Sequence, residues 1–221
     1  MRVVADNPIL PREAARQAMA RQDAREAMLK RMRLVAKARF EANKRLMAKA
    51  HATNLGLQMA NLYTIAIGIF LIQFPAAGIV KAHGGVLNYV SLIASVFVQR
   101  MALIEAFKDY SGQARALHDC AMRVNGLAHQ LELDPRGDPA TLEAYRRAYE
   151  HAIQDAATNH DRIDYRAAQL DPYSWRGRPT AERWAIVAWR ASYLCNVYGL
   201  TAVILASPVL AGYLLAQIQL G

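Results

Sequence analysis

The sequence lacks the features that mark several common classes of protein. Its 221 residues include only two cysteines, Cys120 and Cys195, which excludes a scaffold stabilised by several disulfides. Hydrophobic residues make up 54% of the chain, which excludes an intrinsically disordered protein. No stretch alternates apolar and polar residues in the manner of a β-strand. The sequence therefore predicts an all-α fold.

Catalytic signatures are missing as well. The chain has no Gly-rich phosphate loop, no HExxH, no CxxC and no GxSxG motif. His118 and Cys120 are two residues apart on a predicted helix, so they point to different faces and are a poor metal-binding pair. We therefore expect no enzymatic activity, no metal and no cofactor.

Positive charge is unevenly distributed along the chain. The net charge is +9, and residues 1–51 alone contribute +8. Residues 108–190 carry equal numbers of basic and acidic side chains, whereas residues 191–221 carry none. A basic segment that precedes a membrane span explains such an excess without nucleic acid. We therefore expect no direct binding of nucleic acid.

A transmembrane hairpin is predicted for residues 55–107. Residues 57–80 are uncharged and predominantly apolar, and a membrane-spanning helix needs roughly 20 such residues. Pro75 falls near the far end of this span, where a kink is tolerated. We place a tight connection at residues 81–85 and a returning span at residues 86–107.

A third membrane segment is predicted for residues 191–221, after a linker and the start of an interfacial helix at residues 172–190. Aromatic side chains cluster where it begins, as they do at a membrane–water interface. One interpretation is a single span kinked at Pro208, and the alternative is a re-entrant or interfacial segment that bends there.

The distribution of lysine and arginine predicts the orientation in the membrane. Five basic residues lie between positions 37 and 49, just before the first span, whereas Lys81 is alone in the predicted connection. Because basic residues stay on the cytoplasmic side, we expect a cytoplasmic N-terminus and an external connection. Residues 108–190 then return to the cytoplasm.

Two further helical regions are predicted outside the membrane. Residues 1–54 form a basic juxtamembrane helix that starts near Pro11; it is either solvated, laid on anionic lipid or packed on partners. Residues 108–171 form a helical hairpin, in which Tyr110 to Leu133 continues the second span. Asp138 is a predicted N-cap for a helix that runs to about Leu170.

Polar residues inside the spans are the main candidates for function. On the second span they recur at spacings of three, four and four, within about 80° of helical arc. They are Asn88, Ser91, Ser95 and Gln99. The first span carries Gln58, Asn61, Gly68 and Gln73 within about 140°. Such faces either pack against other helices or line a pore formed by an oligomer.

Charged residues near the end of the second span have two interpretations. Arg100 and Glu105 are costly wherever the bilayer reaches them. They either snorkel toward the cytoplasmic interface or form a charged ring at the mouth of a pore.

Three short motifs, in order around the two spans, point to a family. They read RFEANKRL at residues 39–46, IEAFKDY at residues 104–110 and NHDRIDY at residues 159–165. This arrangement, over about residues 30–170, resembles the SLATT families, the SMODS- and SLOG-associating two-transmembrane effector domains. It is most similar to the branch with the RF-x-A-x-x-RL and NH-x-x-IDY elements. The third apolar block departs from a two-span design.

The resemblance implies an oligomeric effector of a bacterial antiphage or conflict system, in the inner membrane. Such an effector forms a pore or disrupts the membrane on a signal from a sensor encoded nearby, such as a nucleotide second-messenger synthetase or a reverse transcriptase. A non-conducting membrane scaffold that docks cytoplasmic partners is the alternative. Residues with a structural or signal-sensing role would be Arg39, Arg45, Asn159, His160, Asp164 and Tyr165.

Overall fold

The structure is a computed structural model that describes residues 9–134, 138–156, 158–170 and 179–220, with side chains for residues 15–207 among them. The described residues contain helices and no strand, which confirms the all-α prediction. The helices are α1 (Ile9–Gln73), α2 (Gly78–Phe107), α3 (Tyr110–Leu133), α4 (Pro139–Gln154), α5 (Arg162–Leu170) and α6 (Thr180–Leu220).

Helix α1 joins the basic segment and the first apolar segment without a break. It ends at Gln73, and a turn at residues 74–77 leads into α2. Pro75 ends α1 because it has no backbone N–H to donate and restricts the residue before it. The connection expected at residues 81–85 is therefore wrong, since those residues form the first turns of α2. The second apolar helix is therefore longer than predicted, because it begins at Gly78.

A joint at Lys108 and Asp109 separates α2 from α3, where the sequence predicted one continuous helix. Asp109 has a φ of 38°, in the left-handed region that few residues other than glycine adopt. Its carboxylate accepts a hydrogen bond of 3.0 Å from the backbone N–H of Gly112, so Asp109 caps α3. The Gln113 side chain donates to the Lys108 carbonyl oxygen at 2.7 Å and satisfies the end of α2. A Cβ on Gly112 would clash with the Asp109 carboxylate.

Two compact units share the chain. The first, which we call the charged unit, comprises Met1–Asn43 and Ala114–Glu182; the second, the apolar unit, comprises Lys44–Gln113 and Arg183–Gly221. The predicted linker falls largely on residues 171–178, which lie outside the described residues, as do residues 135–137 of the break after α3.

The core of the charged unit is built from three helices. Met32 and Ala36 of α1 pack with Val124 and Leu131 of α3 and with Tyr149 of α4. An apolar stripe on α3, whose members recur at spacings of three and four, is buried throughout: Ala114, Leu117, Ala121, Val124, Ala128 and Leu131. This part of α1 is therefore neither solvated nor laid on lipid, since its narrow apolar stripe completes the core.

Helices α3 and α4 form the expected hairpin, but its second helix is shorter than predicted. The Asp138 carboxylate accepts from the Thr141 backbone N–H at 2.7 Å, which confirms the N-cap. Helix α4 ends at Gln154, and α5 begins only at Arg162, so the single helix expected to Leu170 is wrong. The break accommodates the capping residues of α5 described below.

In the apolar unit, α6 lies alongside α1 in the same direction. The Arg45 guanidinium donates to the Asn196 side-chain oxygen at 3.2 Å, and the Thr201 hydroxyl donates to the Ala52 carbonyl oxygen at 2.6 Å. Contacts therefore advance together along both helices. Helix α6 continues without a break past Pro208, so the predicted bend at that residue does not interrupt the helix.

Candidate functional site

The polar stripe of α2 lies at the edge of the face that α2 turns toward the rest of its unit. Ser91 and Ser95 are half-buried, whereas Asn88 and Gln99 are exposed. The half-buried positions of α2 centre about 60° away from the stripe at 100° per residue. The Ser95 hydroxyl donates to the Leu92 carbonyl oxygen of its own helix at 2.7 Å. The two amides have no hydrogen-bond partner among the described residues.

The polar candidates of α1 are exposed too. Gln58, Asn61 and Gln73 all lie on the surface of the apolar unit. The face of α1 that packs is formed instead by small residues, among them Ala52, Gly56 and Ala60. Packing within one chain therefore does not bury Gln58, Asn61 or Gln73.

Arg100 and Glu105 do not form a common charged group. They are five residues apart, which places them about 140° apart around α2. Arg100 is exposed, whereas the Glu105 side chain is only 9% exposed and is paired with Lys108. The Oε2 atom of Glu105 is buried without a hydrogen-bond partner. The two side chains therefore lie on different sides of α2.

Arg39 is the largest fully buried side chain of the described residues, with 2% of its surface exposed. Two of its guanidinium nitrogens, Nε and Nη1, are buried without hydrogen-bond partners. Burying a charge in a protein interior is costly unless it is compensated. Arg39 is therefore an electrostatic centre of the charged unit, in agreement with its place in the first motif.

The NHDRIDY motif forms the N-terminus of α5. The Asp161 backbone N–H donates to the buried Asp164 carboxylate at 3.0 Å, in the manner of a capping box. The Asn159 side-chain oxygen accepts from the His160 backbone N–H at 2.9 Å. The Tyr165 ring stacks on the His160 ring, with centroids 6.0 Å apart. Local helix capping thus explains most of this motif.

Electrostatics link the first and third motifs. The pKa of His160 is lowered by burial of the imidazole and then by the Arg39 charge, against the opposing charges of Asp164 and Asp161. Burial raises the pKa of the Cys120 thiol, while Arg39 and Arg123 lower it. The Cys120 thiol donates to the Ala152 carbonyl oxygen at 3.1 Å. Arg39 therefore acts on both side chains within one unit.

The structure separates some predicted residues and adds others. Arg45 belongs to the apolar unit and donates to Asn196, whereas Arg39 belongs to the charged unit. The electrostatic link between Cys120 and Arg39 and the burial of Glu105 were not predicted, because neither has a local signal in the sequence. Among the described residues, no group of three or more His, Cys, Asp or Glu side chains is arranged to hold a metal ion.

Two helices of the described chain are long and apolar enough to cross a membrane, α1 and the helix that starts at Gly78. Their most apolar windows are 11% and 0% buried, unlike the core helices of a soluble protein. All-α structure and exposed apolar helices define a helical membrane protein.

The family follows from a match that covers most of the chain. Residues 21–214 match the model of SMODS and SLOG-associating 2TM effector domain family 5. The chain belongs to this family, and it is accordingly a membrane effector of a conflict system. The match includes most of α6, so most of the third apolar block lies within the matched residues. No curated protein and no solved structure matches the chain.

Proposed function

We propose that the chain is an oligomeric effector of the bacterial inner membrane that opens an ion-conducting path when a partner sensor signals infection. The observation that carries the proposal is the polar stripe on α2, in which the exposed Asn88 and Gln99 have no hydrogen-bond partner among the residues that the structure describes. Amide groups in hydrocarbon need a hydrogen-bonding partner or water. A second copy of the chain can provide such a partner, and a column of water along the stripe can hydrate the amides.

An oligomer is required because one chain cannot enclose a path for ions. Helix α2 has no buried residue, so most of its surface is available to lipid or to neighbouring copies. A ring of copies would bring the α2 stripes together around an axis. Resting copies would pair these polar faces, and conducting copies would turn them toward water.

The proposed orientation has the N-terminus in the cytoplasm and α6 crossing the membrane in the same direction as α1. The parallel contacts Arg45–Asn196 and Ala52–Thr201 support it, since parallel helices in contact begin on the same side. Labelling of single cysteines near each end of α6, in intact cells and in lysates, tests this topology. A cysteine near Leu220 that reacts only in lysates would contradict an external C-terminus.

Ion flux from liposomes tests the path itself. The double variant Asn88→Leu, Gln99→Leu should lower flux by roughly tenfold or more, because apolar side chains dewet a narrow pore. The matched control is Val86→Leu, Phe97→Leu, on the opposite side of α2, where both side chains are more than 60% exposed. The control should conduct as the wild type does.

Equal flux from inserted, folded stripe variant and wild type would show that this face does not line the path. Wild-type protein that never conducts but retains a soluble partner would favour the non-conducting scaffold. The sensor, as a proposal from the family, would act on the charged unit. Residues 108–190, most of which belong to this unit, carry equal numbers of basic and acidic side chains, which suits protein association. Depolarisation of cells that express the chain with and without the sensor tests this dependence.

A further inference from the structure

A cavity of about 320 Å³ lies in the apolar unit between α1 and the end of α2. The lining contributed by α1 includes Thr53 and Asn54, and the other wall includes Glu105, Asp109 and Ser111. The only charged side chains in this lining are two carboxylates, and the other polar lining groups are hydroxyls and one amide. The cavity surface is therefore rich in oxygen atoms that accept hydrogen bonds or bind cations.

The Glu105 carboxylate is the feature that points to a ligand. Its side chain is only 9% exposed, its Oε1 atom is paired with Lys108, and its Oε2 atom is buried with no hydrogen-bond partner. A buried carboxylate oxygen without a partner is unfavourable, because it has lost its hydration. Such an oxygen on the wall of a cavity calls for a cation or for ordered water.

The second carboxylate is held in place by the backbone. Asp109 is in the left-handed conformation, and one of its oxygens accepts from the Gly112 N–H at 3.0 Å. Gly112 has no Cβ, and this leaves the space that the Asp109 carboxylate occupies. The joint between α2 and α3 thus brings Asp109 to the same cavity as Glu105.

We propose that this cavity binds one hydrated divalent cation of the Mg²⁺ class, held by Glu105 and Asp109. Mg²⁺ characteristically keeps several of its waters and uses only one or two carboxylates. The cavity has room for roughly ten waters at about 30 Å³ each, enough for a hydrated ion. The cation would join α1 to the joint between α2 and α3. The site does not depend on whether the chain conducts ions.

Two lysines limit the affinity of the site. Lys108 pairs with Glu105, and the ammonium groups of Lys49 and Lys108 lie 5.2 and 5.9 Å from the centre of the Tyr110 ring. The Lys108 ammonium donates a hydrogen bond to Glu105, so a positive charge lies beside this carboxylate. A divalent cation must therefore compete with a nearby positive charge, and removal of that charge should strengthen binding.

Mn²⁺ binding to the full chain in detergent tests the proposal, with free Mn²⁺ measured by electron paramagnetic resonance. Wild type should bind one Mn²⁺ per chain, and Mg²⁺ should displace it. Glu105→Gln should weaken binding by roughly tenfold or more, and Lys108→Gln should strengthen it several-fold, because the two changes alter the local charge in opposite directions. The control Asp119→Asn, an exposed carboxylate of α3, should leave binding unchanged.

Several results would overturn the site. They are equal binding by wild type and Glu105→Gln, loss of binding in Lys108→Gln, and an equal loss in the Asp119→Asn control. Displacement by K⁺ at lower concentrations than Mg²⁺ would also overturn the assignment of a divalent cation. If Glu105→Gln does not fold, Asp109→Asn is the second variant, because asparagine also caps helices and adopts the left-handed conformation. It should weaken Mn²⁺ binding, and unchanged binding would overturn the site.

Discussion

The two units of the chain treat their apolar surface in opposite ways. In the charged unit, Met32 and Ala36 of α1 are 0% and 2% exposed within a three-helix core. In the apolar unit, α2 has no buried residue and large side chains such as Leu92 are 64% exposed. The first unit buries its apolar surface within itself, and the second leaves it for lipid or other copies. Apolar sequence alone thus does not indicate where a side chain is buried.

The largest expected effect on stability comes from comparing a buried leucine of the charged unit with an exposed leucine of the apolar unit. Leu131→Ala in the charged unit should lower the free energy of unfolding by about 2–5 kcal/mol, because it leaves a cavity in a closed core. Leu92→Ala in the apolar unit should change it far less within a single chain. Thermal unfolding in mild detergent, followed by circular dichroism, measures both. A comparable loss in Leu92→Ala would mean that α2 is already packed under these conditions.

A second comparison concerns two glycines of α1 inside the apolar unit. A Cβ on Gly56 would lie 3.2–3.3 Å from Thr201 of α6, whereas one on Gly68 would meet nothing within 4 Å. Gly56→Leu should therefore destabilise the contact with α6 by about 1–3 kcal/mol through overpacking. Gly68→Leu is the matched control and should be neutral or slightly stabilising, as leucine favours helix more than glycine does. Unfolding by SDS in mixed micelles reports the difference, and equal effects would argue against close α1–α6 packing.

The smallest expected effect tests the electrostatics of the charged unit. Burial and Arg39 lower the pKa of His160 from its ordinary value of 6.5. As pH falls below about 6.5, the unfolded chain binds this proton before the folded chain does. The free energy of unfolding therefore falls between about pH 6.5 and the pKa of the folded state, and this contribution to stability is fully present above about pH 6.5. Arg39→Met should raise the His160 pKa only partly, because burial is the larger cause. NMR titration of His160 in the wild type and in Arg39→Met measures this pKa. The variant His160→Gln should remove the dependence of stability on pH. An unchanged His160 pKa in Arg39→Met would contradict the influence of Arg39.

Periodicity in the sequence predicted the elements whose partners are close along the chain. The α3 stripe from Ala114 to Leu131, the N-cap at Asp138 and the first apolar segment of α1 all follow from local rules. The turn after α1 was placed too late, because Pro75 was treated as a kink within a span rather than as its end. The division between α4 and α5 was not predicted, since one helix was expected to run to about Leu170.

The candidate site was only partly predictable for a physical reason. The stripe of Asn88, Ser91, Ser95 and Gln99 follows from helical spacing, but its position at the edge of the α2 face depends on how α2 meets its neighbours. The motifs identified Arg39 and His160 separately. Their electrostatic coupling requires residues that are more than a hundred positions apart to fold into one unit.

The sequence by itself determined the class of this protein: helices from composition, membrane segments from long uncharged runs, and family from short ordered motifs. Helical periodicity and the cost of burying charge are local properties, and this is why they can be read without coordinates. Only the tertiary structure decided which surfaces are buried in contacts between helices. It places α1 in a core with α3 and α4, it sets α6 beside α1, and it encloses the Glu105 carboxylate at a joint formed by Asp109. These outcomes depend on contacts between distant segments, whose geometry no local pattern specifies.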